Sequence, residues 1–403
     1  MQSKTELVKN LPNVKLVIGN GFDLHCHLKT LYADYFLYNE GKNNYFVKWI
    51  KEFLPKSRDY VNLKVANHKD FWDDFVNFDK TNVWDFFFYL ASMEKGVDIK
   101  EWRWCDIESK IEESLSDNKD NRNLNWPYVY EVLKNGLGIG TDSFGAFLLA
   151  AVAYKKNGEN AFSSKAEFYS FLLDELKLFE YNFGYYIYRQ HNDDINRSFG
   201  VIIPNNSFKK FSELTIQSLC NPKNLVSVDS FNYDSIEIPE LESIFHNVNG
   251  TVDAPIFGID SDKFKHTDPR YIFSKTNRRM ELDMFENETG ERADFDNVIV
   301  FGHSLNAADY SYFFSILDRI QITDLEKPSK IVFAFSIYDP DKETDIKAAL
   351  RKSIFRLFQD YSIYKGNENH PNRLLDALTT QGKVLMYEIP YINVNPKPGY
   401  FRK

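Results

Sequence analysis

The sequence predicts an α/β fold in which a Rossmann-like parallel sheet carries a large helical insertion. Short apolar runs rich in β-branched residues occur near the start of the chain and again through its second half. Such nearly continuous runs are typical of strands that are covered on both faces, as in parallel sheets. Across residues 39–223, apolar side chains instead recur at steps of three and four, which indicates amphipathic helices.

The apolar runs and the helical patterns together divide the chain. Strands are expected at Val14–Gly19, Leu225–Phe231, Pro255–Ile259, Val298–Phe301, Lys330–Phe335 and Val384–Ile389. Helices are expected at Phe46–Phe53, Phe71–Tyr89, Asp106–Ser116, Phe144–Tyr154 and Lys165–Arg189. Residues 1–38 and 224–403 are therefore the expected α/β core that binds a nucleotide, and residues 39–223 are the expected helical insertion.

The composition narrows the classes of function. Hydrophobic residues make up 43% and charged residues 27% of the 403 residues, as in an ordinary globular protein. The net charge of -9 argues against broad binding of nucleic acid. Three scattered cysteines fit a reducing cytoplasm and give no zinc pattern. The chain shows no signal peptide and no run of about 18 apolar residues, so a cytoplasmic protein without a membrane partner is expected.

A glycine turn follows the first predicted strand. Ligands of open parallel sheets bind beyond the carboxyl ends of the strands, and here that position holds Gly19-Asn20-Gly21-Phe22-Asp23. The glycines permit a sharp turn and a close approach of the backbone, and a following helix offers N–H groups to a phosphate. Asp23 would repel a phosphate, so it is expected to meet a ribose hydroxyl or to cap the helix. The alternative is a tight turn without a ligand.

Two further strand ends carry polar residues. Asn232 and Asp234 follow the second run, and an amide that both donates and accepts suits a ribose. The alternative there is an Asx turn that opens a helix at Asp234. The run Val298–Phe301 is followed by residues that suit the sugar and phosphates of a nucleotide, namely Gly302, His303, Ser304 and Asp309. For His303 the alternative is a hydrogen-bonded core histidine.

Taken together, these motifs resemble the bacteriophage abortive-infection AbiH family. The similarity extends from about residue 14 to about residue 335, with the motifs in the family's order. Its motifs are Ile-Gly-Asn-Gly-Phe-Asp at 18–23, Trp104 to Glu108, Phe-Asn-Tyr-Asp at 231–234, Asn-Gly at 249–250, and Gly-His-Ser-Leu at 302–305 with Asp309. That family in turn is similar to the sirtuin-like NAD-binding domains of phage-defence proteins.

The resemblance implies a role for each strand end. The residues implied to line the dinucleotide phosphates are Gly19, Asn20 and Gly21. Those implied to face the nicotinamide ribose are Asn232 and Asp234. Those implied to lie near the adenosine are Gly302, Ser304 and Asp309. Asn249-Gly250 stands where sirtuin-like enzymes carry a catalytic histidine before glycine, and asparagine cannot act as a general base near neutral pH. Cleavage of NAD is then expected to depend on Asn232, Asp234 and Asp23.

The hypothesis is an anti-phage protein that binds NAD or a related nucleotide and hydrolyses it, with no metal predicted. The main alternative is a nucleotide-binding sensor that does not turn over its ligand. In either case the helical insertion is the expected place for a phage component or a second copy to bind. A minor alternative is a serine hydrolase, because Ser304, Asp339 and His370 follow the Ser…Asp…His order. A metal-dependent hydrolase is disfavoured, since His25 and His27 would point apart on a helix.

Overall fold

The computed structural model describes residues 3–41, 81–95, 104–117, 125–135, 143–156, 162–190, 205–236, 238–282, 294–324 and 326–392. The chain divides into two compact units. The sheet unit consists of Met1–Thr30, Ile187–Thr251 and Glu286–Lys403. The helical unit consists of Leu31–Tyr186 and Val252–Phe285.

The strands of the described ranges are β1 (Val14–Ile18), β2 (Leu225–Ser230), β3 (Phe245–Asn247), β4 (Gly250–Thr251), β5 (Ala254–Pro255), β6 (Asn297–Phe301), β7 (Lys330–Ser336) and β8 (Val384–Ile389). The sheet of the sheet unit is parallel throughout and has the order β3-β2-β1-β6-β7-β8. Counted along the chain within this sheet, the order is that of a Rossmann fold. It reverses between β1 and β6, and the carboxyl ends of strands at such a reversal are where ligands bind.

The helices of the described ranges are α1 (Lys4–Lys9), α2 (Asn20–His25), α3 (Tyr32–Gly41), α4 (Val83–Lys95), α5 (Trp104–Leu115), α6 (Trp126–Asn135), α7 (Ser143–Lys155), α8 (Lys165–Gln190), α9 (Asn205–Leu219), α10 (Lys275–Glu281), α11 (Tyr310–Arg319), α12 (Glu343–Tyr364) and α13 (Arg373–Thr380). Of these helices, none combines the length and the apolar character needed to cross a membrane.

Helices cover both faces of the sheet. Apolar side chains of α1, α2 and α9 pack on the face that carries Leu16 and Ile18. Those of α11, α12 and α13 pack on the opposite face, against Val17 and Phe333. Because neither face meets solvent, every residue of β1 and β6 is buried. The continuous apolar runs in the sequence follow from this burial.

Aromatic rings form much of the interior of the helical unit. Tyr32 contacts Phe36, Phe88, Phe179 and Phe183, with ring centroids 4.3 to 5.9 Å apart. Most of these contacts are edge-on or tilted, the geometry that aromatic pairs favour. The phenylalanine and tyrosine content of the chain is therefore used for packing in this unit.

Two buried ion pairs join the two chain segments of the helical unit. Lys275 Nζ lies 2.7 Å from Glu108 Oε1. Arg278 Nη2 lies 2.7 Å from Glu180 Oε2, and Arg278 Nη1 lies 3.0 Å from Glu180 Oε1. Both cations are on α10, one turn apart. Glu108, a residue of the Trp104-to-Glu108 motif, is thus a partner of Lys275 within this unit.

Five of the predicted strands are confirmed to within two residues. The prediction of a strand over Pro255–Ile259 is wrong: only Ala254–Pro255 is a strand, and Ile259 makes an isolated bridge to Ser274. The run is apolar for another reason, because the ring of Phe257 packs against other aromatic rings of the helical unit. The strand β3 was not predicted.

The bounds of the two units differ from the expected domain boundaries. Helix α9 lies in the sheet unit, whereas residues 39–223 were expected to form the insertion. The segment Val252–Phe285 lies in the helical unit, whereas residues 224–403 were expected to form the core. The helix predicted at Phe46–Phe53 and the first part of that predicted at Phe71–Tyr89 lie outside the described residues. The described helices at the other insertion sites match the predictions closely.

Candidate functional site

The turn after β1 lies directly against the turn after β6, at the reversal of the strand order. Gly19 N–H donates to the carbonyl of Phe301 at 3.1 Å, and Gly21 N–H donates to that of Gly302 at 2.8 Å. A Cβ built on Gly21 would lie 2.6 Å from Gly302 Cα, and Gly302 has a φ of +72°. The close approach of two backbones thus requires glycine at both turns. Contact with a nucleotide phosphate stays a prediction for Gly19 and Gly21.

The three side chains predicted as the catalytic set lie together at the carboxyl ends of β1 and β2. Asn232 Nδ2 donates to Asp23 Oδ1 at 2.7 Å and to the carbonyl of Gly19 at 3.2 Å. The carboxyl group of Asp23 also hydrogen-bonds that of Asp234. The exposed fractions of Asp23, Asn232 and Asp234 are 3%, 5% and 6%. We call these three residues the Asp-Asn-Asp cluster.

The environment of the cluster favours a neutral Asp23. Burial, and next the charge of Asp234, raise the pKa of Asp23 well above its ordinary value. Hydrogen bonds from Asn232 and Thr30 oppose this shift without reversing it. A carboxylic acid beside a second carboxyl group is an arrangement that can pass a proton between the two.

Two residues that sequence reasoning missed hold the cluster in place. Asn247 Nδ2 donates to the carbonyl of Asn232 at 2.8 Å and to that of Asp234 at 3.0 Å. Thr30 hydrogen-bonds the side chains of Asn20 and Asp23. Asn247 ends β3, a short edge strand of half-buried residues that gives no apolar run. In the sequence, the nearby pair Asn249-Gly250 was the feature that could have drawn attention to Asn247.

The predicted residues Asn249 and Gly250 lie at the connection between β3 and β4, and Gly250 begins β4. Asn249 is buried, and Gly250 has a φ of +88°, which favours glycine. The backbone of this segment is tied to β2, because Val248 N–H donates to the carbonyl of Ser230 at 2.6 Å. Asn249 therefore follows a residue that is bonded to the end of β2, the strand that precedes Asn232 and Asp234.

His303 closes the turn after β6. Its Nδ1 accepts a hydrogen bond from Leu305 N–H at 2.9 Å, and its Nε2 lies 3.4 Å from Asp309 Oδ2. The ring packs edge-on against Phe231, with centroids 4.3 Å apart. This geometry matches the core-histidine alternative, with Asp309 as the partner of the imidazole. Ser304 is exposed, and within the described ranges it has no hydrogen bond to a histidine or a carboxylate.

The other two histidines considered as metal ligands face different groups. His25 Nδ1 lies 3.0 Å from Ser336 Oγ, whereas His27 Nε2 lies 2.7 Å from the carbonyl of Ile392. Burial, and next the neighbouring His27, lower the pKa of His25 to about 4, so its ring is neutral at physiological pH. Among the residues that the structure describes, no group of three or more His, Cys, Asp or Glu side chains could hold a metal ion.

The structure therefore brings the ends of β1, β2 and β6 to one edge of the sheet, as the sequence predicted. Their arrangement defines an α/β protein with a Rossmann-like sheet and a buried polar site at its carboxyl edge. The family model described as bacteriophage abortive infection AbiH matches residues 16–327, and the chain belongs to that family. Among curated proteins and solved structures, none matches the chain.

Proposed function

We propose that this protein acts in phage defence by binding NAD or a related nucleotide at the carboxyl ends of β1, β2 and β6 and hydrolysing it. Membership of the abortive-infection family supports the role in defence. The observation that carries the proposed chemistry is the buried Asp-Asn-Asp cluster at the edge of the sheet where ligands bind. Loss of NAD would arrest growth of the infected cell before phage is released.

The reaction would be hydrolysis of the bond between nicotinamide and ribose. When this bond breaks, its electron pair passes to the ring nitrogen, so nicotinamide leaves as a neutral molecule and needs no general acid. The ribose carbon becomes oxocarbenium-like, and a nearby carboxylate stabilises that charge. Water then forms the new bond to this carbon and gives up a proton.

The cluster offers a group for each of these tasks. The carboxylate of Asp234 would stabilise the ribose and take the proton of the attacking water. The amide of Asn232 would orient the water or a ribose hydroxyl, since it both donates and accepts. The carboxyl of Asp23, whose pKa burial and Asp234 raise, would donate a hydrogen bond to Asp234 when it is protonated. A histidine at position 249 is not needed in this scheme.

Binding without turnover is a second candidate function. It is favoured by Asn249, which stands where sirtuin-like enzymes carry their catalytic histidine. A sensor of this kind would bind the nucleotide and signal through a conformational change. It predicts saturable binding of NAD and no release of nicotinamide.

The proposal is tested by incubating the purified protein with NAD, with and without an extract of phage-infected cells, and measuring free nicotinamide. Wild type is expected to release nicotinamide in at least one of the two conditions. Asn232→Ala is expected to lower the rate by about 100-fold or more, the usual effect of losing a positioned catalytic group. Asn10→Ala, which alters an exposed asparagine at the end of α1, is the matched control and should leave the rate unchanged.

Two results would count against this assignment. Absence of nicotinamide release by wild type in both conditions would remove the claim of hydrolysis, and calorimetry with NAD would then decide for or against the sensor. Equal rates for Asn232→Ala and wild type would instead show that the Asp-Asn-Asp cluster is not the reactive site.

A further inference from the structure

The chain that follows β8 returns to the short helix α2. The ring of Tyr391 lies edge-on to those of two histidines, with centroids 5.4 Å from His25 and 5.7 Å from His27. The carbonyl oxygen of Ile392 lies 2.7 Å from His27 Nε2. Because a carbonyl oxygen only accepts, Nε2 carries the proton and donates this hydrogen bond. We call Tyr391 and Ile392 the strap.

His27 has a backbone conformation that favours glycine. Its φ is +67°, which is strained for a residue with a side chain. In this conformation His27 N–H donates to the carbonyl of Leu24 at 3.1 Å, and Leu28 N–H donates to that of Asp23 at 2.9 Å. This pair of hydrogen bonds is typical of helix ends that are closed by a left-handed residue. His27 therefore closes a turn onto Asp23 with its backbone while its side chain contacts the strap.

The closed turn connects the strap with the Asp-Asn-Asp cluster. The carboxyl group of Asp23 accepts a hydrogen bond from Asn232 Nδ2 at 2.7 Å. Thr30, two residues after Leu28, hydrogen-bonds the same carboxyl group and the side chain of Asn20. All of these residues, like the strap, belong to the sheet unit. A continuous series of contacts thus joins the strap to Asp23 within one unit.

The strap is placed so that it can detach while the sheet stays folded. It follows the last strand of the sheet, and both of its residues are half-buried. Its partner His25 is buried and is also held from the sheet, by the ring of Phe301 at 5.3 Å and by Ser336 Oγ at 3.0 Å. Segments with few buried contacts open at a lower free energy than the core. Detachment would therefore free the side chain of His27 while α2 stays on the sheet.

We propose that the strap controls the order of the candidate site: while docked, it holds His27 and, through the turn that His27 closes, holds Asp23 in contact with Asn232. Detachment would leave this turn closed by its backbone alone and would loosen the cluster. Tyr391, Ile392 and His27 are positioning residues in this scheme, since they act through α2. The effect on hydrolysis of NAD rests on the function proposed above, whereas the effect on the turn does not.

The test uses two substitutions of His27 in the full-length chain. His27→Ala and His27→Gln both keep a side chain at a positive φ, so their backbone strain is matched. The amide nitrogen of glutamine can take the place of Nε2 and donate to Ile392, whereas alanine cannot donate. The measurement is hydrogen exchange by mass spectrometry, followed in peptides that contain the amide of Leu28.

Exchange of the Leu28 amide is expected to be about tenfold faster in His27→Ala than in wild type, because the hydrogen bond to the strap is lost. In His27→Gln it should stay within about threefold of wild type. Tyr391→Ala should resemble His27→Ala. Tyr338→Ala, at an exposed tyrosine after β7, is the matched control and should exchange as wild type.

Equal exchange in His27→Ala and His27→Gln would overturn the proposal, since the turn would then be closed without the strap. Unchanged exchange in Tyr391→Ala would overturn it as well. Nicotinamide release by the same variants should fall in His27→Ala and recover in His27→Gln. If exchange responds as expected but wild type releases no nicotinamide, the strap stands and the claim of hydrolysis fails. If wild type releases nicotinamide and exchange does not respond, the strap alone fails.

Discussion

Asn232 alone connects three parts of the candidate site by hydrogen bonds of its side chain and its backbone. Its side-chain amide donates to Asp23 and to the carbonyl of Gly19, while its backbone carbonyl accepts from Asn247. The turn after β1, the loop after β2 and the end of β3 are thereby held to each other.

The raised pKa of Asp23 makes a prediction about stability and pH. In the unfolded chain an aspartate has a pKa of about 3.9, and in the folded chain that of Asp23 is well above it. Between these two values the folded chain binds more protons than the unfolded one, so the free energy of unfolding falls as pH rises through the window. Asp23→Asn removes this loss and keeps the hydrogen bonds with Asn232 and Asp234, since an amide accepts from the first and donates to the second.

We therefore expect Asp23→Asn to gain stability relative to wild type as pH rises from about 4, by about 1.4 kcal/mol for each unit of the pKa shift. Urea unfolding of both proteins across a series of pH values measures the difference. Asp253→Asn, at an exposed aspartate, should show a constant difference and serves as control. If the difference for Asp23→Asn were also constant, Asp23 would ionise in the folded chain as it does in the unfolded one.

Among the elements, the turn after β6 leaves no room for a side chain at Gly302. A Cβ built on Gly302 would lie 2.3 Å from the backbone nitrogen of Phe22, at a φ of +72°. Gly382 has a similar φ of +66°, but no atom lies within 4 Å of its Cβ position. A side chain at Gly382 would therefore meet backbone strain alone, whereas one at Gly302 would meet the same strain and steric overlap as well.

Gly382→Ala is expected to lower the free energy of unfolding by about 1 kcal/mol, the cost of a left-handed residue with a side chain. Gly302→Ala is expected to cost about 3 kcal/mol or more, because overlap with a backbone that cannot move is added to the same strain. Thermal and chemical denaturation of the two variants measure this. Equal losses would mean that the turns after β1 and β6 are not in close contact in solution.

The elements also show what the sequence could and could not predict. Burial made β1, β2 and β6 readable as apolar runs, and the carboxyl end of β2 directed attention to Asn232 and Asp234. The strand β3 was missed because half-buried edge residues leave no such run. His303 was open between two interpretations, because residue type alone does not reveal that Leu305 N–H donates to its ring and that the carboxyl group of Asp309 lies beside it.

The helical unit is assembled from segments that are far apart in the sequence. Val252–Phe285 joins Leu31–Tyr186, and it contributes two buried cations to carboxylates of the earlier segment. The sequence prediction placed Val252–Phe285 in the α/β core, because the sequence does not show that Lys275 and Arg278 pair with Glu108 and Glu180. Burial raises the pKa of Glu180, and the charge of Arg278 opposes that shift without reversing it. Loss of either partner would therefore leave the other without its counter-charge in the interior.

This dependence predicts a large effect of breaking the pair between Glu180 and Arg278. Glu180→Ala is expected to lower the free energy of unfolding by about 3 to 5 kcal/mol, because it leaves a buried guanidinium without its carboxylate. Replacing both partners by methionine should cost much less, since no buried charge remains. Lys177→Ala is the matched control: its partially exposed pair with Glu281 joins the same two helices, α8 and α10, and should contribute about 1 kcal/mol or less.

Tryptophan fluorescence during urea unfolding provides the measurement, since all six tryptophans of the chain fall within Leu31–Tyr186 and so report on the helical unit. Glu180→Ala should move the midpoint to lower urea, and the double methionine variant should recover most of the loss. If instead both variants were destabilised equally, the loss would come from the missing hydrogen bonds of Glu180 to Arg278 and Phe257 rather than from an unpaired charge. The expected recovery would show that the loss in Glu180→Ala comes from the unpaired buried charge, and that Val252–Phe285 stays in this unit without the ion pair.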